Sequence, residues 1–224
     1  MHPSPNLAIS LHHLIGQQIV AGEFEHRPFP NEADLATQFD ASRTVIREAM
    51  KMLTAKGLIN TRQRANRLNP MRDWNLLDPD ISRWLRQRAF SAEAYREYMQ
   101  MRLGIEPVAA GLTAALGDHE SLADIDHSLK AMQAAPPASP ARLEAQVRFH
   151  QALLRGSGNL FFNRLTELVT TALHMEAHLL KPESDDLSLY AQIHAGIRQG
   201  DVTGAEALMR ALLRARLKQA EAYS

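Results

Sequence analysis

Two arginines four residues apart, Arg43 and Arg47, carry the plainest chemistry in this chain. On a helix that spacing puts both side chains on one face. A guanidinium presents a planar fork of donors that can bond O6 and N7 of one guanine together. Beside them, the hydroxyls of Ser42 and Thr44 and the N–H groups of a helix start can bond phosphate oxygens. Arg62, Arg64 and Arg67 follow in a short basic stretch suited to salt-dependent phosphate contacts, with Asn66 among them able to take a positive φ. A second set points to different chemistry. Arg102 has Glu106 one turn on, so it is either half of a local ion pair or a fork for a ligand's carboxylate. Gln146, His150, Tyr190 and His194 are polar positions on stripes shared with Leu143, Val147, Ile193 and Ile197. They are either satisfied polar groups of a core or the lining of a cavity suited to hydroxyl groups. His174 and His178 have the i, i+4 spacing that suits zinc, but Glu167 and Thr171 extend the same stripe as a solvated face would.

The elements that must hold these groups can be read around them. Ile46, Ala49, Met50 and Leu53 repeat as i, i+3, i+4, i+7, so Arg43 and Arg47 ride a helix whose other face is buried. Before it, Pro30-Asn31 starts a short helix with Asn31 as N-cap and Leu35, Ala36 and Phe39 inward. Asp40-Ala41-Ser42 is the turn between them, Ser42 caps the second helix, and Gly57 ends it. Residues 58–61 and 67–69 predict the two strands of a hairpin wing, with Arg62, Arg64 and Arg67 at its tip. This order is that of a winged helix-turn-helix, in which the start of the second helix meets base edges in the major groove. Leu11, Leu14, Ile15 and Ile19 predict a helix over 11–21 that packs under it.

Charge supports the same reading. The formal net charge is zero, yet residues 40–72 hold eight basic residues against two acidic ones, a local footprint for a polyanion. Cysteine is absent, which excludes disulfides and thiolate zinc sites. No apolar run approaches membrane-spanning length and no signal peptide is visible, so a soluble cytoplasmic protein without membrane partners is expected.

Residues 70–79, PMRDWNLLDP, have two prolines and no sustained period and read as a linker, with Trp74, Leu76 and Leu77 docking it. Helices are predicted at 80–89, 91–116, 119–134, 141–155, 159–181, 187–199 and 202–221, separated by Gly and Pro breaks. Ala205, Leu208, Met209, Leu212 and Ala215 give the last one a buried stripe. The expected fold is therefore mostly α: a winged helix-turn-helix over 1–69, a linker over 70–79, and an all-α bundle over 80–224 large enough to enclose a ligand. His12, His13, His26, His119 and His127 show no constellation and read as surface residues.

The segment PNEADLATQFDASRTVIREAMKMLTAKGLI resembles the winged helix-turn-helix of the GntR family of bacterial transcription regulators. The likeness rests on Pro30, Glu32, Leu35, Ala36, Ser42, Arg43, Thr44, Arg47, Glu48, Ala49, Leu53, Gly57 and Leu58. It implies that Arg43 and Arg47 read bases. Ala33 stands where the family often has an arginine, and Asn66 where the wing has a glycine. The second half resembles the FCD effector domain of the FadR-like branch through RLGIEP at 102–107, FH at 149–150, GSGN at 156–159, and Ile193 to Asp201 followed by Ala205 and Met209. WNLLDPDISRWL also looks like the linker of sugar-acid-responsive members. The resemblance implies a homodimer on a palindromic operator, commonly a repressor released by effector, with Arg102 near the pocket. It also implies a divalent metal held by one aspartate and three histidines. The matching positions here are Gln146, His150, Tyr190 and Leu212, so no metal or other cofactor is expected at that place. A small carboxylate, a sugar acid before a fatty acid, is the expected effector, bound by Arg102, Gln146, His150, Tyr190 and His194. Two other readings stand beside this one. One is an α-helical enzyme using His150, His174, His178 and His194, although no activated nucleophile or paired catalytic carboxylates appear at telling spacing. The other is a DNA-binding protein without an effector.

Overall fold

The computed structural model describes residues 5–60, 67–88, 91–179 and 186–222, in two compact units, Met1–Ala89 and Phe90–Ser224. The first unit opens with α1 (Pro5–Val20), which buries Leu11, Ile15, Ile19 and Val20 and packs against α3 (Arg43–Ala55). Leu14 of the predicted stripe is exposed. Between them lies α2 (Glu32–Gln38). Asn31 caps α2: its side chain accepts from the N–H groups of Ala33 and Asp34, and Asp34 accepts from the Asn31 N–H in return. Asp40, at φ 46, makes the turn into α3. Gly57 ends α3 at φ 77, a backbone that L side chains resist, and a Cβ there would lie 2.4 Å from the Asp73 carbonyl oxygen.

The wing is present at its base. Ile59 and Leu68 form an antiparallel bridge, Asn60 N–H donates to the Arg67 carbonyl at 2.7 Å, and Asn69 N–H donates to the Leu58 carbonyl at 2.9 Å. That bridge is the only β pairing among the described residues.

The segment expected to be a docked linker is held on the first unit. Trp74 Nε1 donates to the Asn69 carbonyl at 2.9 Å, while Leu77, expected to dock, is 68% exposed. Next comes α4 (Pro79–Leu85), which buries Ile81, Trp84 and Leu85 and packs against α1. Lys56, just past α3, pairs with Asp78 at 2.7 Å and with Asp80 at 2.8 Å. The division therefore falls at Ala89/Phe90 rather than within 70–79. Docking through single side chains such as Trp74 needs no period in the sequence. His12, read as a surface residue, is only 4% exposed and lies against the Trp84 ring. The close approach of Trp84 depends on Gly16, where a Cβ would sit 2.4 Å from the indole.

The second unit is a helical bundle. Its long helix α5 (Ala92–Leu116) lies along α11 (Val202–Ala222) and also touches α7 (Pro140–Gly156), α9 (Thr166–Leu179) and α10 (Asp186–Gln199). α6 (His119–Ala134) covers α7. The core holds Tyr95, Met99, Phe149, Leu153, Val169, Ile193, Met209 and Leu213, all fully buried. The single helix expected over 159–181 is two: α8 (Leu160–Arg164) and α9, broken at Leu165.

Candidate functional site

In the first unit, α3 has the two faces its sequence requires. Val45, Ile46, Ala49, Met50 and Leu53 are buried, and Arg43, Thr44, Arg47, Glu48 and Lys51 are exposed. Ser42 Oγ accepts the Val45 N–H at 3.3 Å, which leaves its own hydroxyl proton for an outside acceptor. Arg47 Nε lies 3.5 Å from a Glu32 carboxylate oxygen, an exposed pair worth up to ~1 kcal/mol and easily exchanged for another acceptor. Arg67, expected at the wing tip, is instead half-buried at the wing base, where its carbonyl accepts the Asn60 N–H. Arg62, Arg64 and Asn66 lie outside the described residues.

In the second unit, polar side chains from five helices converge inside the bundle. Arg102 of α5 is 1% exposed. Its Nε donates to Glu106 Oε1 at 2.6 Å and its Nη2 to Glu106 Oε2 at 3.4 Å. Its Nη1 donates to Glu176 Oε2 of α9 at 3.1 Å and also meets Met99 Sδ at 3.6 Å, and Nη2 reaches His150 Nε2 of α7 at 3.4 Å. All five guanidinium donors thus have neighbours. Glu176 is shared: Arg216 Nε of α11 lies 3.1 Å from Oε1, and the Tyr95 hydroxyl donates to Oε2 at 3.3 Å. Tyr190 of α10 closes the cluster, its hydroxyl 2.8 Å from His150 Nε2. Glu106 Oε2 is 2.6 Å from His150 Nδ1 but out of line with the ring N–H, so the two meet as a close polar contact and not as an aligned hydrogen bond. These partners are consistent with the proton on Nδ1 and with Nε2 accepting from Tyr190.

Two guanidinium groups and two carboxylates balance in this cluster. Burial pushes the Glu106 carboxyl up, but Arg102 and then His150 outweigh it and hold it lowered to about 2. Burial alone would lower the Arg102 value; the carboxylates of Glu106 and Glu176 offset that and raise it. Burial, with Glu176 next, pushes the phenols of Tyr95 and Tyr190 up, so both stay neutral donors.

Of the two readings of Arg102, the structure realises the ion pair, and extends it to Glu176. In this state no fork is open to a ligand's carboxylate. His150 and Tyr190 meet as expected. Gln146, one turn before His150 on α7, is half-buried. His194 stands apart from the cluster, 3.6 Å from Asp126 of α6, with its value lowered by burial. The sequence reading missed Tyr95, Glu176 and Arg216. Tyr95 lies two turns before Arg102, a signal that was available. Glu176 sits between Met175 and Ala177 with nothing to single it out.

The metal that the resemblance implies does not suit these residues. Leu212 is 1% exposed within the apolar core and has no donor atom. The Tyr190 hydroxyl is committed to His150 and is held away from the phenolate a metal would need. Gln146 offers only a neutral amide.

Comparisons with known proteins agree with both halves. Residues 8–66 match the model of bacterial regulatory proteins of the gntR family, and residues 97–215 match the FCD domain. An Escherichia coli K12 protein, the uncharacterised HTH-type transcriptional regulator YieP, is 32% identical over 217 residues, 93% of each chain. The galactonate operon transcriptional repressor of the same organism is 31% identical over 159 residues, 70% of this chain and 69% of that one. Among solved structures, Lar of Listeria monocytogenes has a TM-score of 0.62 at 18% identity, covering 99% of both chains. Streptococcus agalactiae GntR has a TM-score of 0.53 at 23% identity, covering 95% of this chain and 98% of that one. With an arginine-faced recognition helix, a wing base and a C-terminal helical bundle all in place, the chain belongs to the GntR family of transcription regulators, in the branch that carries an FCD domain.

Proposed function

We propose that this regulator is a cytoplasmic homodimeric repressor, released from a palindromic operator by a small hydroxylated carboxylate. The observation that carries the DNA half is the exposed face of α3, where Arg43, Thr44 and Arg47 stand clear of the buried stripe. Two such faces related by a two-fold axis suit a two-fold operator. The wing arginines Arg62, Arg64 and Arg67 add phosphate contacts.

The effector half is supported by the relative named for the galactonate operon and by the chemistry of the bundle interior. Tyr190, His150 and Gln146 present hydroxyl, imidazole and amide groups, which pair with sugar hydroxyls and not with an acyl chain. His194, outside the cluster, would meet the ligand only at its rim. A carboxylate would reach Arg102 by replacing Glu176, and that exchange would loosen the contacts joining α9 to α5 and to α11. A ligand shifts operator affinity only through such a difference between two states. Coupling of about 3 kcal/mol would change that affinity roughly a hundredfold.

Titration of an operator fragment tests the first half. Arg43→Ala and Arg47→Ala should each weaken binding by about 1–3 kcal/mol without unfolding the chain. Equal affinity in wild type and both variants would refute base reading. Calorimetry with a panel of aldonic acids and long-chain acyl compounds tests the second. Tight binding of the acyl compounds alone would refute the sugar-acid reading.

A further inference from the structure

Three groups with metal-binding atoms come together where α1 meets α4, in the first unit. His12 and His13 of α1 and Asp80 of α4 each offer one nitrogen or oxygen, and these atoms lie within 4.8 Å of one another. His12 is 4% exposed, and its Nε2 is buried with no hydrogen-bond partner. A buried polar atom left unpaired is destabilising, a penalty that a leucine on the same stripe would avoid. The two imidazoles are held in place: their centroids lie 4.9 Å apart, and 5.2 and 5.8 Å from the Trp84 ring.

The third group is oriented too. Asp80 receives Lys56 Nζ at 2.8 Å on one oxygen and Arg83 Nη1 at 3.0 Å on the other. Metal-bound carboxylates are commonly steadied by such outer partners. Lys56 is also held by both oxygens of Asp78 at 2.7 Å, so it keeps an anion when an Asp80 oxygen turns away. The charged groups facing the cluster are therefore Lys56, Asp78 and Arg83. Lys56 and Arg83 both oppose a cation, and Asp78 offsets Lys56.

We propose that His12, His13 and Asp80 form a site for a divalent metal of the zinc class, joining the first helix of the DNA-binding unit to its last. Two imidazoles and one carboxylate, with a coordination position left for water, are a donor set that zinc and nickel accept. Ligand atoms around zinc stand about 3.4 Å apart, so small rotations of the exposed His13 edge and of Asp80 close the site.

Calorimetric titration of the full, tag-free chain with zinc chloride and with nickel chloride tests the site. One equivalent should bind per chain, and a hundredfold excess over Kd should raise the melting temperature by about 10 °C, reversed by a chelator. His12 is buried and its variants can fail to fold, so the half-exposed His13 is the position to change. His13→Gln and Asp80→Asn should each weaken binding by at least about tenfold while circular dichroism stays as in wild type. Lys56→Met should strengthen it by about tenfold, as loss of an opposing charge predicts and a purely structural role does not. No saturable binding, wild-type affinity in His13→Gln and Asp80→Asn, or loss only on His150→Gln would overturn the proposal.

Discussion

Neutralising Glu176 should be among the most damaging single changes in the bundle. The side chain is 9% exposed and holds three partners: Arg102 at 3.1 Å, Arg216 at 3.1 Å and the Tyr95 hydroxyl at 3.3 Å. Glu176→Gln keeps the volume and removes the charge. Arg102 then retains Glu106, but Arg216 loses a buried counter-ion. Removing one partner of a buried pair costs about 3–5 kcal/mol, because the remaining charge loses compensation where water cannot reach it. At ~3 °C per kcal/mol that is a fall of about 10–15 °C in melting temperature. Urea unfolding followed by circular dichroism reads the free energy directly. The double variant Glu176→Gln with Arg216→Gln removes the facing charge as well, and should recover part of the loss. A single-variant loss under about 1 kcal/mol, or strictly additive losses in the double variant, would refute the assignment of Glu176 as the shared counter-ion.

The remaining predictions address other links of the structure. Glu106 is lowered to about 2 from an ordinary value of 4.5, so the folded state binds its proton less readily than the unfolded chain. Its contribution, of order 3 kcal/mol, is complete above about pH 4.5 and drains away as pH falls towards about 2. Urea melts at pH 5 and pH 2.5 should therefore differ more for wild type than for Glu106→Gln, and equal differences would count against the pairing. Gly57→Ala places a Cβ 2.4 Å from the Asp73 carbonyl in a left-handed backbone, and should cost at least about 2 kcal/mol in thermal unfolding. An unchanged melting temperature would show that the turn after α3 can relax. Arg67→Gln should reduce the slope of log affinity against log salt by about 1 at any DNA sequence, and an unchanged slope would remove Arg67 from the phosphate contacts.

The first unit was legible because its signals are local. Asn31, Ser42 and Gly57 are caps or stops whose partners lie within a few residues, and the α3 stripe repeats at helical spacing. The helices of the second unit could be bounded by glycine and proline for the same reason, apart from the break at Leu165, where no breaker residue stands. What the sequence could not display was partnership across the bundle. Arg102 and Glu106 are one turn apart and visible as a pair, but Glu176 and Arg216 join them only through packing of α9 and α11 on α5. His12 and Asp80 were hidden in the same way, since neither has meaning until α4 folds back on α1.

The docking of α4 on α1 also decides how this reading head could be moved between proteins. A fragment cut at residue 69 would keep the exposed arginine face of α3 yet lose Trp84 from its seat over Gly16, and lose both aspartates that hold Lys56 at the foot of α3. An apolar groove would open along α1 where Ile81, Trp84 and Leu85 had packed. The exchangeable module therefore runs through Arg88, whose guanidinium reaches back to Glu25 at 2.8 Å and marks the true end of the cassette. Chimeras joined after that residue should stay soluble with a foreign effector domain, whereas joints placed in 70–79 should aggregate.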